Sequence, residues 1–265
     1  MKILLVLLCC IFALDVAAQN QKTPFQSCNV KGSTTIYNYK SHKWTTTDEA
    51  DSRSGSQPAS TFKIINLLIA LETGVIKDEN AIIKWPGTTD TTLYGYRPDI
   101  YRDISVKEAF ELSAGWAFIE LAKQVGREKY KTFLQKSKYG NGDLSEQGDD
   151  FWNFGKFAIS PRNQIEFLIN VYKSRTPFSK QNIAILKKVM VAEQTADHTL
   201  RSKTGWTRVE GNDIGWWVGY LESKGNVYFF ATRITKPRSV SNPDFGECRK
   251  TITKEFLSQL IANQG

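Results

Sequence analysis

Residues 62–71 read Phe-Lys-Ile-Ile-Asn-Leu-Leu-Ile-Ala-Leu, and this segment restricts the fold more than any other. Phe62, Ile64, Ile65, Leu67, Leu68, Ile69 and Leu71 surround a helix nearly completely, and Gly74 can stop it. A helix that is apolar on all sides must be wrapped by other elements, so it is a buried central helix. A chain of 265 residues, 41% hydrophobic and 23% charged, has material for that wrapping in one large domain or two smaller ones.

The rest of the chain arranges itself around this helix. Ser33–Tyr39 alternates and is rich in β-branched and aromatic residues; after a turn at 40–43, Trp44–Thr47 reads as the second arm of a hairpin. Residues 48–58 are polar and loop-like. Residues 83–104 read as a long loop carrying Trp85, Pro86, Gly87 and Pro98. Helices are expected over Val106–Leu112, Trp116–Val125 and Glu128–Lys136. Two more follow, from Ser160-Pro161 to about Tyr172 and from Ser179 to about Val191. The period then changes to two over Leu200–Thr204, Ile214–Leu221 and Val227–Ile234, and a last helix runs from about Glu247 to Ile261. Strands at both ends with helices between them predict an α+β fold. One antiparallel sheet forms from about 25–57 and 195–265, and an all-helical region is inserted over about 58–194. That topology brings Cys28 and Cys248 within range of a disulfide. Two free thiols are the alternative, because spacing does not supply bridge geometry.

At the N-terminus, Lys2 precedes a 12-residue apolar run, Ile3–Leu14, and then the small residues Val16-Ala17-Ala18. The run is too short to span a bilayer, so residues 1–18 read as a secretory signal and 19–265 as the mature domain. No integral membrane segment is expected after cleavage, and the product is exported to the periplasm or secreted. A lipid anchor at Cys9 or Cys10 and an uncleaved anchor are weaker alternatives. The formal charge is +8, but no long Lys/Arg run suggests nucleic acid; a basic surface suits anionic small substrates. With only His42 and His198, and no H-E-x-x-H or C-x-x-C, a zinc hydrolase is hard to build, and no metal is expected. Phosphate-cradling glycine loops are absent as well. Both histidines lie in polar, loop-like contexts, and no G-x-S-x-G exists, which weakens a Ser-His-Asp account.

Two short motifs carry candidate chemistry. In Ser60-Thr61-Phe62-Lys63, the three-residue spacing puts Lys63 on the face of Ser60, at a helix start whose N–H groups favour an oxyanion. Lys63 lies in an apolar helix, so its pKa must fall or it must gain a partner; either outcome suits a base for Ser60. Lys203-Thr204-Gly205 ends a strand and can present a cation, a hydroxyl and a close-approach backbone to a carboxylate. Each motif alone is weak. Together and in this order they are the signature of serine penicillin-recognising enzymes.

The chain resembles the class D, oxacillinase-type serine β-lactamases over essentially its whole mature length. The resemblance is carried by Pro58–Lys63, Tyr139-Gly140-Asn141, Phe151-Trp152, Ile159-Ser160-Pro161 and Ser202–Trp206, with Ser113-Ala114-Gly115 at the place of an S-x-V motif. It implies a small-molecule β-lactam as substrate, Ser60 as the acylated nucleophile and Lys63 as general base, N-carboxylated by CO2, with no other cofactor. Trp152 would hold that carbamate. Ser113 and Lys203 would relay a proton to the leaving nitrogen. The N–H groups of Ser60 and Trp206 would form the oxyanion hole. Tyr139, Thr204, Gly205 and Arg249 would contact the substrate, with Thr204 and Arg249 on its carboxylate. A monomer or a dimer is expected. Loops 86–103 and 206–213 would tune the substrate range.

Two positions depart from the family. Gly115 and Asn153 stand where a valine and a leucine form an apolar cover over the carbamate, so the site is expected to be wetter and the lysine easier to decarboxylate unless Trp116 swings in. The alternatives to a hydrolase are a penicillin sensor or a D,D-peptidase-like protein, which acylates but deacylates slowly, and a non-catalytic binding protein that forms no adduct.

Overall fold

A computed structural model describes residues 23–262. The signal reading of residues 1–18 lies outside the described residues. The main sheet contains β1 (Lys31–Asn38) and β2 (Lys43–Thr46) from the N-terminal part of the chain. A separate two-stranded ladder, β3 (Ile82–Ile83) and β4 (Ile104–Ser105), brackets the stretch between them. The sheet is completed by β5 (Val191–Gln194), β6 (His198–Val209), β7 (Asn212–Ser223) and β8 (Asn226–Pro237). Its order is β2-β1-β8-β7-β6-β5, and every pairing is antiparallel, so both chain ends build one sheet as expected.

The helices are α1 (Pro24–Ser27), α2 (Glu49–Arg53), α3 (Lys63–Glu72), α4 (Thr91–Tyr94), α5 (Val106–Glu111) and α6 (Gly115–Val125). They continue as α7 (Arg127–Ser137), α8 (Phe151–Phe154), α9 (Pro161–Tyr172), α10 (Lys180–Val189) and α11 (Phe245–Ala262). Ser160 and Ser179 cap α9 and α10 through their hydroxyls, as their positions before Pro161 and Lys180 imply.

Strand alternation divides the core in two. Trp216, Val218 and Tyr220 of β7, with Phe229 and Ala231 of β8, face the helical region. Trp217, Tyr228 and Phe230 face α11. Helix α3 runs through the larger core with Ile65, Leu67, Leu68 and Ile69 fully buried, so its all-round apolar surface is wrapped as the sequence requires.

Several boundaries differ from expectation. The helix ending near Val191 stops at Val189, and Val191–Gln194 forms an edge strand instead; a four-residue strand carries too little periodicity to be legible. Residues 206–213, expected as loop, continue β6 and β7 into a hairpin turning at Glu210-Gly211. The polar stretch 48–58 holds the short α2, capped by Asp48. Cys28 and Cys248 are joined by a disulfide, their Cα atoms 5.9 Å apart across 220 residues of sequence.

Candidate active site

Ser60 lies in a 3-10 turn, Ala59–Phe62, rather than in the α-helix expected to start there; α3 begins only at Lys63. In a 3-10 turn, side chains at i and i+3 eclipse, which stacks Lys63 directly on Ser60. Lys63 Nζ stands 2.9 Å from Ser60 Oγ. Lys63 is 2% exposed, and no carboxylate among the described residues pairs with it. Burial therefore pushes its amine down to about 7. The Phe118 ring, its centroid 5.2 Å from Nζ, forms part of the apolar wall. The residue before Ser60, Ala59, is buried at φ +50°, a left-handed conformation that costs a non-glycine residue about 1–3 kcal/mol.

That strained turn is held from two sides. On one, β6 passes so close that a Cβ on Gly205 would stand 2.8 Å from Pro58 O and 3.2 Å from Thr61 N. On the other runs a buried hydrogen-bond chain. Tyr139 Oη donates to Gln164 Oε1 (3.0 Å), Gln164 Nε2 donates to Thr61 Oγ1 (2.8 Å), and Thr61 Oγ1 donates to Pro58 O (2.7 Å). Tyr139, expected at the substrate, is instead 1% exposed, its ring packed edge-on against Phe62. Its hydroxyl is committed to Gln164, which ties Tyr139 to the turn of Ser60. The other two residues of its motif clasp the neighbouring segment. Gly140, at φ +70°, passes where a Cβ would meet the Phe157 ring at 2.5 Å, and the Asn141 amide bonds Lys156 O and Ala158 N. Gln164 and Thr61 carry no sequence signal of their own; the bond between them joins positions 103 residues apart.

Trp152 stacks on Phe62 at 4.8 Å and 10°, fully buried, and its indole N–H has no acceptor among the described residues. A buried donor without a partner is costly, so this one points to a missing acceptor. Ser113 sits between α5 and α6 at φ +60°, a second strained position. Gly115 opens α6, and a Cβ there would touch nothing within 4 Å, so the space beside it is open. Trp116 does not swing free to fill it: its indole donates to Ile100 O at 2.8 Å and its ring packs edge-on against Trp85. The Asn153 carbonyl accepts from Thr207 Oγ1, tying this turn to β6.

Lys203 is 5% exposed, and its ammonium lies 5.5 Å from the Phe110 ring centroid. Burial, then the like charge of Lys63, holds its pKa well below that of a free lysine. Strand β5 pairs with β6 only as far as Arg201. Ser202 N–H still bonds Met190 O, so strand alternation turns the main-chain groups of Ser202, Thr204 and Trp206 to that same side. Beyond Ser202 no strand lies there among the described residues, which leaves Thr204 and Trp206 on a free edge beside the turn of Ser60. Thr204 is half-buried. Arg249 reaches from α11 to the Gly205 carbonyl with Nη1, while its Nε is buried without an acceptor; burial lowers its pKa to about 10. The histidines stand apart. His42 bonds Tyr37 and His198 bonds Glu193, and both line a cleft of about 940 Å³ formed by hairpin turns around 39–42, 194–199 and 222–227.

The structure thus gathers Ser60, Lys63, Trp152, Lys203, Gly205 and Arg249 around one turn and one strand edge. A family model, the penicillin binding protein transpeptidase domain, matches residues 21–258. Among characterised relatives, β-lactamase OXA-48 of Klebsiella pneumoniae is 40% identical over 204 residues, 76% of this chain and 73% of its own length. β-Lactamase OXA-10 of Pseudomonas aeruginosa is 35% identical over 88% of this chain and 85% of its own. Among solved structures, a class D β-lactamase from Sebaldella termitidis superposes with a TM-score of 0.84 at 41% identity, covering 89% of this chain and 93% of that one. The class D β-lactamase YbXI from Nostoc gives 0.83 at 37%, covering 89% and 96%.

Proposed function

Because the chain belongs to the class D β-lactamases, we propose that it hydrolyses the β-lactam amide through an acyl-enzyme on Ser60. The observation that carries this reading is the 2.9 Å contact between Ser60 Oγ and a buried amine with no counter-charge. Ser60 Oγ attacks the lactam carbonyl carbon, and its proton passes to the base at Lys63. The N–H groups of Ser60 and Trp206 receive the developing oxyanion. The first is unpaired within its 3-10 turn and the second faces the free edge of β6. As the C–N bond breaks, the ring nitrogen takes a proton through Ser113 and Lys203. Thr204 and Arg249 hold the substrate carboxylate; the unpaired Nε of Arg249 is a donor left for such an anion. A water, deprotonated at Lys63, then attacks the ester carbonyl, and the proton returns to Ser60 Oγ as the ester C–O bond breaks, which regenerates the base.

The residues around Lys63 fit a carbamate formed when its neutral amine adds CO2 and releases a proton. Burial favours that neutral amine, and Trp152 offers the unpartnered donor that would hold the new carboxyl group. An anion there would also replace repulsion between Lys63 and Lys203 by attraction. When formed, the carbamate supplies a carboxylate-type base beside Ser60. The disulfide between Cys28 and Cys248 supports export to an oxidising compartment, the periplasm or the medium.

The open space at Gly115 favours one second reading: fast acylation with slow deacylation, as in a penicillin sensor or a D,D-peptidase. One experiment separates the two. Purified protein is mixed with a chromogenic cephalosporin or benzylpenicillin, with and without bicarbonate, and turnover and intact mass are followed together. Many turnovers that vanish in Ser60→Ala support the hydrolase. A persistent one-to-one adduct supports the second reading, and neither turnover nor adduct defeats both.

A further inference from the structure

The hairpin that follows Trp206 contains a buried ion pair for which the chemistry above has no use. Asp213, at the start of β7, is 6% exposed; its Oδ2 accepts from Lys236 Nζ of β8 at 2.7 Å. The Lys236 side chain is 7% exposed, and its ammonium also bonds Val240 O at 2.9 Å. The other carboxylate oxygen of Asp213 accepts the indole N–H of Trp206 at 3.0 Å, with Arg208 Nε at 3.5 Å. A buried ion pair is seldom more stable than apolar side chains of the same volume, so stability alone does not account for this one at the end of a hairpin.

Its consequence falls on Trp206. This side chain is 45% exposed, so burial does not fix it. Two contacts do: the hydrogen bond to Asp213, and packing against Phe245, ring centroids 4.9 Å apart. The main-chain groups of Trp206 turn away from β7 and meet no strand among the described residues on their other side, so its N–H has no ladder partner; the peptide plane that carries it is held at the Gly205 carbonyl, which accepts from Arg249 Nη1. We infer that Asp213, itself held by Lys236, is a positioning residue: by locking the Trp206 indole, it sets the direction of the Trp206 N–H at the free edge where the oxyanion forms. The inference rests on the acyl-enzyme reading and adds to it two residues, Asp213 and Lys236, that touch no substrate.

The test is single-turnover acylation by a chromogenic cephalosporin in wild type, Asp213→Ala, Trp206→Phe and the double variant. Rates are taken per active site titrated by covalent adduct, so that a misfolded fraction does not count. Trp206→Phe keeps an aromatic ring and the main-chain N–H and removes the indole donor, so with Asp213→Ala it tests the link from both ends. Loss of one oxyanion donor costs about 10²–10³ in rate; a misdirected donor keeps part of its effect, so each single variant should slow acylation about tenfold. The concentration giving half-maximal acylation should stay unchanged, because the donor acts as the charge develops. The double variant should be no slower than either single one, because both remove the same link. A full acylation rate in Trp206→Phe, or a double variant slowed about a hundredfold, overturns the inference. Absence of both turnover and adduct in the wild type would instead overturn the acyl-enzyme reading beneath it.

Discussion

Gly205 lies against Thr61 with no room for a side chain of its own: a Cβ there would lie 3.2 Å from both Thr61 N and Thr61 Cγ2 and 2.8 Å from Pro58 O. The glycine of Lys203-Thr204-Gly205 is thus the point where β6 is pressed onto the nucleophile turn. Gly205→Ala must push the strand away from Ser60. Overpacking of this kind destabilises by about 1–3 kcal/mol. On the proposed reading this separates the Ser60 and Trp206 N–H groups, so turnover should fall by about two orders of magnitude, read as kcat/KM beside a thermal melt. A variant that keeps wild-type kcat/KM would show that the strand and the turn are not coupled.

Lys63 should have opposite effects on activity and on stability. Its folded pKa of about 7 lies below the ordinary 10.5, so between those values the unfolded chain binds the extra proton and stability rises with pH. Below about 7 the buried charge is fully present in the fold. Lys63→Met should therefore abolish turnover and stabilise the protein at pH 6 by about 1–2 kcal/mol, with a gain that shrinks toward pH 10. In CO2-free buffer, wild-type acylation should rise through pH 7 as the amine loses its proton. Urea unfolding at several pH values, with parallel burst kinetics, checks both statements.

Tyr139→Phe removes the first donor of the chain that ends on Pro58 and leaves Gln164 Oε1 buried without a partner. The stability cost should be about 1–3 kcal/mol. The ring still packs on Phe62, so the fold survives while the nucleophile turn loosens. The expected kinetic result is a lower kcat at an unchanged KM. A raised KM with unchanged kcat would return Tyr139 to the substrate.

Gly115→Val fills a place where a Cβ meets nothing. It should make the surroundings of Lys63 drier and favour the neutral, CO2-accepting amine. The bicarbonate concentration needed for half-maximal activity should fall several-fold. A bicarbonate titration of both proteins decides the matter, and identical curves would mean that the opening does not reach Lys63.

Reduction of the disulfide, or Cys28→Ser with Cys248→Ser, should destabilise the fold by about 2–5 kcal/mol, since it releases a constraint across 220 residues. The catalytic turn is packed by other elements, so the surviving folded protein should keep its kcat. Denaturant unfolding and active-site titration measure the two quantities separately.

Much of this molecule was legible in the chain because it depends on local spacing. The apolar run after Ser60 determined a wrapped central helix, and the change of period from 3.6 to two determined that helices lie between strands. Ser60 with Lys63 and Lys203-Thr204-Gly205 marked the two halves of the site, since each half is a short stretch of neighbouring residues. Tertiary structure decided what depends on contacts between distant segments. It set Ser60 in a 3-10 turn, because Gly205 presses on that turn from 145 positions away. It buried Tyr139 against Phe62, because the partner of its hydroxyl lies on α9. It ended β5 at the pairing with Arg201 and so left Thr204 and Trp206 on an open edge, a matter of strand length that no periodicity in four residues can show. Hydrogen bonding and close approach act over a few ångströms whatever the sequence separation, so these relationships exist only once the chain has folded.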